Sequence, residues 1–221
     1  MKQRTLLIKN ALVLATMDGN GREIKGGEVY VEGAEIKKVG TGLRVKADTV
    51  IDAKGCVVLP GFVNTHHHLY QTLTRNLPKV QDAELFDWLT YLYDIWKHID
   101  PEAVYASTQA GLGELLLTGC TTSSDHLYLF PKKNSGFFID TQIEAAREIG
   151  MRFTATRGSM SRGRSNGGLP PDSVVQTEDF IMKDCERLIN KFHGREKFAM
   201  TNVAMAPCSP FSVTTELLKL T

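Results

Sequence analysis

Nowhere does the 221-residue sequence approach the ~20 consecutive apolar residues that a membrane-spanning helix needs. Its amino terminus, Met1-Lys2-Gln3-Arg4-Thr5-Leu6-Leu7-Ile8-Lys9, has too short an apolar stretch for a signal peptide and no small-residue cleavage site. It also lacks an excess of one charge. Basic residues number 26 and acidic residues 25, the net charge is +1, and the basic residues are scattered. A footprint for a nucleic-acid backbone or an anionic membrane is therefore excluded. Cysteine is sparse: Cys56, Cys120, Cys185 and Cys208 lie far apart and form no CxxC pair. That argues against a disulfide framework or a structural zinc knuckle. Buried free thiols in a reducing cytoplasm are the expectation for Cys56, Cys120 and Cys185. What remains, 42% apolar and 23% charged residues, is ordinary for a globular protein.

The first 56 residues are strand-like. Thr5 to Thr16 is β-rich, Glu28–Glu32 alternates apolar and polar, and Gly33 marks a turn before Glu35–Val39. Val50-Ile51-Asp52 is a further short strand candidate. This stretch buries little core alone and reads as part of a small β-sandwich. From Val57 the rhythm becomes strand, helix, strand, helix. Val57 to Asn64 reads as one apolar strand buried on both faces. Helices are expected from about Leu85 to His98, from Asp100-Pro101 to Gly119, from Ile139 to Ile149, and along the stripe Ile181, Cys185, Leu188, Ile189, Phe192. Strands are expected at Thr121–His126, Arg152–Arg157 and Phe198–Pro207. Between them the Gly/Pro/Ser-rich segment Ser161–Pro171 is long enough for a functional lid.

Four strands with intervening helices predict an α/β fold: residues 57–221 as the amino-terminal half of a (β/α)8 TIM-like barrel, after a β-sandwich portion at 1–56. An open doubly wound sheet shares the alternation, but no GxGxxG or Walker loop follows the first strand. A last helix opens near Thr214 with no room to finish before Thr221, so a truncated chain is expected.

The sharpest chemical signal is Pro60-Gly61-Phe62-Val63-Asn64-Thr65-His66-His67-His68, where a strand ends. His66 and His68 are two apart, so on an extended chain they point to one side, while His67 points the other way as a supporting or packing residue. Two imidazoles on one face can bite one metal ion. The alternative is a polar turn with incidental histidines. Three of the chain's six histidines are consecutive here, which favours the metal.

A short β region followed by a strand ending in Pro-Gly-Phe-Val-Asn-Thr-His-x-His resembles the amidohydrolase superfamily. Gly61 to Pro78 resembles its branch of guanine, triazine and 8-oxoguanine aminohydrolases. The likeness continues through Gly119-Cys120-Thr121-Thr122, Asp125–Pro131, Thr156–Ser161, Gly167–Pro171 and Ala206–Ser212. The segments around Arg157 and Cys208 resemble the 8-oxoguanine deaminase group most closely. The resemblance implies a hydrolytic deaminase of a small heterocyclic substrate, releasing ammonia, with no nucleic-acid or membrane partner. It implies one divalent metal, Zn2+ with Fe2+ or Mn2+ as alternatives, held in part by His66 and His68. It also implies a cytoplasmic enzyme and a homodimer at full length. The family's later histidine and aspartate ligands and its proton-shuttling glutamate have no counterpart here, so the catalytic acid and base are expected beyond the chain end. His193, on a predicted helix, fits none of those motifs.

Three residues are implied as substrate contacts. Gln71, just past the HxH strand, offers a donor and an acceptor to a purine edge, or is a solvated loop residue. Arg157, at the end of the third strand, reads a carbonyl or steadies an oxyanion, or makes a structural salt bridge. Cys208, after the fourth strand, marks preference for an oxidised purine, or is a small buried hydrophobe. Asp125-His126 could orient the metal-holding residues as a hydrogen-bonded pair, and Trp88 and Trp96 read as packing residues, with Trp88 able to wall a pocket. A second function of a different class stays open for the isolated chain. Two histidines do not close a zinc site, so the chain alone is either a non-catalytic fragment or half of an enzyme.

Overall fold

The computed structural model describes residues 3–133 and 136–221. The chain forms two compact units that meet in sequence at Gly61/Phe62, not at residue 56. In the first unit, β1 (Thr5–Lys9), β4 (Glu28–Glu32), β5 (Glu35–Gly40) and β6 (Thr49–Asp52) form a sheet in the order β5-β4-β1-β6. A second sheet joins β3 (Glu23–Lys25), β2 (Val13–Ala15) and β7 (Val57–Val58) in the order β3-β2-β7. Ala11, Leu14, Val29 and Ala53 make the small core of this unit, with Ile8, Ile24 and Val58 packed on it. Gly33, at φ +59°, turns β4 into β5, a conformation that glycine adopts without a Cβ penalty.

The expectation of one buried strand from Val57 to Asn64 is corrected. Pro60-Gly61 interrupts it, and the two pieces belong to different sheets: β7 pairs β2, and β8 (Phe62–Asn64) pairs β9 (Cys120–Leu127). Nor is β8 buried on both faces, since Phe62 is 54% and Val63 64% exposed. The reason is that β8 is an edge strand with a neighbour on one side only. Cys120 and Cys185 are buried, but Cys56 is exposed, in a turn where its N–H donates to Ala53 O at 2.9 Å.

In the second unit β8, β9, β10 (Arg152–Ser159) and β11 (Thr201–Pro207) are all parallel and lie in sequence order. A doubly wound sheet would reverse its order, and this one does not. Between the strands come α1 (Leu85–Trp96), α2 (Pro101–Leu117), α3 (Phe138–Ile149) and α4 (Glu178–Phe192), and α5 (Thr215–Leu220) follows β11. Asp100 caps α2 by accepting from Ala103 N at 2.8 Å, with Pro101 in its first turn. Ile181, Cys185, Leu188 and Phe192 form the buried stripe of α4.

The strands have two unlike faces. In β9 the side chains of Ser123, Asp125 and Leu127 are buried, while Thr122, Ser124 and His126 are half-buried. In β10 Phe153, Ala155 and Arg157 are buried, while Thr154 and Thr156 are half-buried. The buried set meets the helices, and the other face is more open. The Ser161–Pro171 segment is tied down: Arg162 N–H donates to Ser212 O and Leu169 N–H to Phe211 O, each at 3.0 Å. Among the described residues no helix is long and apolar enough to cross a membrane.

Candidate metal centre and cleft

The β8–β9 ladder stops at Asn64/Ser123, so other contacts must hold the histidines that follow. Three do so. His126 N–H donates to His67 O at 2.9 Å, His68 Nδ1 lies 2.9 Å from His126 O, and Leu69 N–H donates to Asp125 Oδ1 at 2.7 Å. A carbonyl only accepts, so His68 Nδ1 carries the proton and Nε2 presents its lone pair. The chain then tightens into a 3-10 helix, Leu69–Thr74, that buries Leu69 and Tyr70.

This arrangement brings His66 and His68 together, with ring centroids 5.0 Å apart and planes at 89°. Both line a cleft of about 420 Å³ that also takes in His67, Gln71, Arg75 and Trp88. His67 thus shares the cleft instead of turning away, and its buried Nδ1 has no hydrogen-bond partner among the described residues. Burial pushes His68 below the ordinary 6.5, against the pull of the His126 carbonyl, and His66 nearby adds to the effect. Burial lowers His67 and His126 as well. Neutral imidazoles are the form a metal requires. The pair therefore fits a divalent cation as two of its donors. Among the described residues no group of three or more His, Cys, Asp or Glu side chains is placed to hold a metal. Catalytic zinc usually takes about three protein ligands, so the donor set among the described residues is incomplete.

Gln71 stands on the same cleft. Its Nε2 donates to Tyr128 Oη at 3.2 Å and to Tyr70 Oη at 3.4 Å, and no described residue donates to its Oε1. Tyr128 is the hub of an aromatic cluster, with ring centroids 5.5 Å from His68, 5.1 Å from His126 and 5.8 Å from Tyr70. Burial pushes the Tyr128 phenol up to about 12, so it stays neutral. Trp96 is fully buried against Tyr70, and its Nε1 donates to Thr74 Oγ1 at 3.0 Å. Trp88 packs on Trp96 and also walls the cleft. The role of Tyr128 was missed in the sequence, and His126 was read there only as half of an orienting pair with Asp125. Period-two spacing from the half-buried face of β9 would have put His126 and Tyr128 on one side.

Arg157 is not brought to this cleft. It lies on the helix-covered face of β10, 1% exposed. Its Nε donates to Asp184 Oδ2 at 3.0 Å, Nη1 to Gly158 O at 2.6 Å and Nη2 to Gln176 Oε1 at 2.7 Å. The guanidinium also lies 4.1 Å from the Phe130 ring centroid. Every nitrogen is already used inside the protein, which is the geometry of a structural ion pair. Cys208 is half-buried; its N–H donates to Ser159 O at 3.0 Å. Its side chain packs against the core cluster that contains Tyr93 and Tyr128. Asp125 and His126 do not bond to each other through their side chains. Asp125 Oδ2 instead accepts from Gln142 Nε2 at 2.7 Å, and His126 Nε2 reaches Ala206 O at 3.0 Å. Burial pushes the Asp125 carboxyl up to about 6, against the hydrogen bonds from Gln142 and Leu69.

The chain is similar to known enzymes over almost its whole length. It is 46% identical over 214 residues to 8-oxoguanine deaminase of Pseudomonas aeruginosa, which covers 96% of the chain and 47% of that protein. It is 34% identical to hydroxydechloroatrazine ethylaminohydrolase of Pseudomonas sp. strain ADP, over 89% of the chain and 44% of that protein. Among solved structures, atrazine chlorohydrolase of Arthrobacter aurescens TC1 complexed with zinc superposes with a TM-score of 0.88 at 32% identity, over 96% of this chain and 48% of that one. The chain thus spans about half the length of the curated relatives it matches. With a model of the amidohydrolase family matching residues 57–220 as well, the chain belongs to that family.

Proposed function

We propose that this chain is the metal-holding first half of a hydrolytic deaminase of purine-like heterocycles, with 8-oxoguanine as the leading substrate. One observation carries the reading: His66 and His68 converge on a cleft in a chain 46% identical to an 8-oxoguanine deaminase. The four parallel strands in sequence order then correspond to the first four of a (β/α)8 barrel, with the cleft at their carboxyl ends.

A divalent metal, when bound, lowers the pKa of water to roughly 7 and so supplies hydroxide at neutral pH. His66 and His68 hold it through neutral ring nitrogens, with His68 offering Nε2 because Nδ1 is engaged. Gln71, its amide nitrogen turned to Tyr128, offers Oε1 to a ring or exocyclic N–H of the substrate. Trp88 walls the cleft. Arg157 fixes β10 to α4 and takes no part in binding. We assign the remaining metal donors and the acid that protonates departing ammonia to residues outside this stretch, so the 221-residue chain alone is inactive.

The test is ammonia release by the whole protein on 8-oxoguanine, guanine, isoguanine and a hydroxytriazine. The highest kcat/KM is expected on 8-oxoguanine. A higher value on guanine or the triazine would move the substrate within the same chemistry, and no ammonia from any of them would contradict a deaminase.

A further inference from the structure

Two residues of β9, Asp125 and His126, grip three consecutive residues of the segment after β8. The grips on His67 and on the His68 ring come from the His126 backbone, which any residue would provide. The grip on Leu69 N–H is different, because it needs a carboxyl or carboxamide oxygen at position 125. Asp125 is 1% exposed, and no cation pairs with it among the described residues. A buried carboxyl without an ion pair is costly to keep unless its hydrogen bonds hold something in place. Its second oxygen takes the amide of Gln142, which is fully buried on α3 and whose own Oε1 has no partner among the described residues. Gln142, Asp125 and Leu69 thus form a line of hydrogen bonds from a helix, through a strand, to the residue beside His68.

We propose that Asp125, seated by Gln142, is a positioning residue that sets the direction of the His68 ring by fixing the Leu69 amide. The inference rests on the reading of His66 and His68 as metal ligands. Without the Asp125 oxygen, the segment loses its anchor at the first residue of the 3-10 helix, and the His68 ring is left with one hydrogen bond to set its direction.

Asp125→Asn keeps the function. Its Oδ1 accepts from Leu69, and its Nδ2 donates to the Gln142 Oε1 that now lacks a donor, once the Gln142 amide turns over. Asp125→Ala removes both bonds. The double variant Asp125→Leu/Gln142→Leu removes both partners together, which strands fewer buried polar groups, and it serves if the alanine variant fails to fold.

The experiment is zinc affinity of the whole protein, by competition with a chromophoric chelator, alongside 15N-histidine spectra of the metal-free protein. Asp125→Asn is expected within about threefold of the parent, with the His68 Nδ1–H tautomer retained. Asp125→Ala or the double leucine variant is expected to lose about 10- to 100-fold in affinity, the usual effect of removing a residue that orients a ligand, with a mixture of His68 tautomers. Parental affinity and a single tautomer in a folded Asp125→Ala or double variant would overturn the inference. Asp140→Ala, which removes the ion pairs that the buried Asp140 of α3 makes with Arg187 and Lys191 of α4, is the control for general destabilisation, and an equal loss of affinity there would also overturn it. His68→Ala separates the two levels. If it retains zinc fully, the ligand reading fails and takes this inference with it; if it loses zinc while the clamp variants keep it, only the clamp fails.

Discussion

Cys208 packs against the core cluster that contains Tyr93 and Tyr128, and Tyr128 holds the amide of Gln71. A serine there changes a soft, weak hydrogen-bonding group into a strong one next to that network. Cys208→Ser is expected to lower the ratio of kcat/KM for 8-oxoguanine over guanine, and an unchanged ratio would leave Cys208 a packing residue. Arg157 makes the opposite prediction. Replacing it by Met takes a partner from the half-buried Asp184 carboxylate and from Gln176. Arg157→Met should cost about 3 kcal/mol in urea unfolding, the low end for a broken buried pair, because Asp184 keeps Arg187. Parental stability with a raised KM would instead restore Arg157 as a substrate contact. Asp125 gives a pH signature. Its carboxyl is raised to about 6 from 3.8, so the folded state binds a proton that the unfolded state has released. Its stabilising contribution is complete below about pH 4 and is lost as pH rises through about 6. Asn does not titrate. The melting temperature of Asp125→Asn relative to the parent should therefore climb between those two pH values, and a flat difference would show an unshifted carboxyl.

At the scale of elements, helices were the most legible part of the sequence. The stripe Ile181, Cys185, Leu188, Phe192 and the cap at Asp100 needed only local rules, and α4 and α2 formed where those rules put them. Strands were less legible. β3, with charged residues at both ends of Glu23–Lys25, has no apolar run to announce it, and β7 and β8 were read as one strand because both halves are apolar. The histidine pair was visible because its spacing is local. Asp125-His126 was legible as an orienting pair, but the bonds it makes were not, because Leu69 and Asp125 are 56 residues apart in sequence and Asp125 and Gln142 are 17 apart. For the same reason the sequence left Arg157 between a substrate contact and a structural salt bridge: the end of the strand was legible, but the face depends on Asp184, 27 residues on. Where β10 meets the end of β9, Gly158 allows a close approach. A Cβ there would lie 2.6 Å from Leu127 O and from Tyr128 Cβ. Gly158→Ala should force the strands apart at a cost of about 1–3 kcal/mol in denaturant unfolding. No loss of stability would mean that Tyr128 can move away freely, and that the aromatic cluster around His68 is not held by this contact.

At the scale of the whole molecule, the described residues give two of the donors that a catalytic metal needs, on a sheet whose outer strands β8 and β11 each pair on one side only. Both features agree with a chain that spans about half the length of its relatives. The proposal for the whole protein stands or falls on where its metal sits. Anomalous diffraction at the zinc edge, on crystals of the whole protein, measures this directly. The account predicts a single peak about 2.0–2.1 Å from a ring nitrogen of both His66 and His68, with Nε2 as the ligand from His68, and no peak in a His68→Ala crystal. A zinc peak bound by neither ring, or retained at full height in that variant, would contradict it.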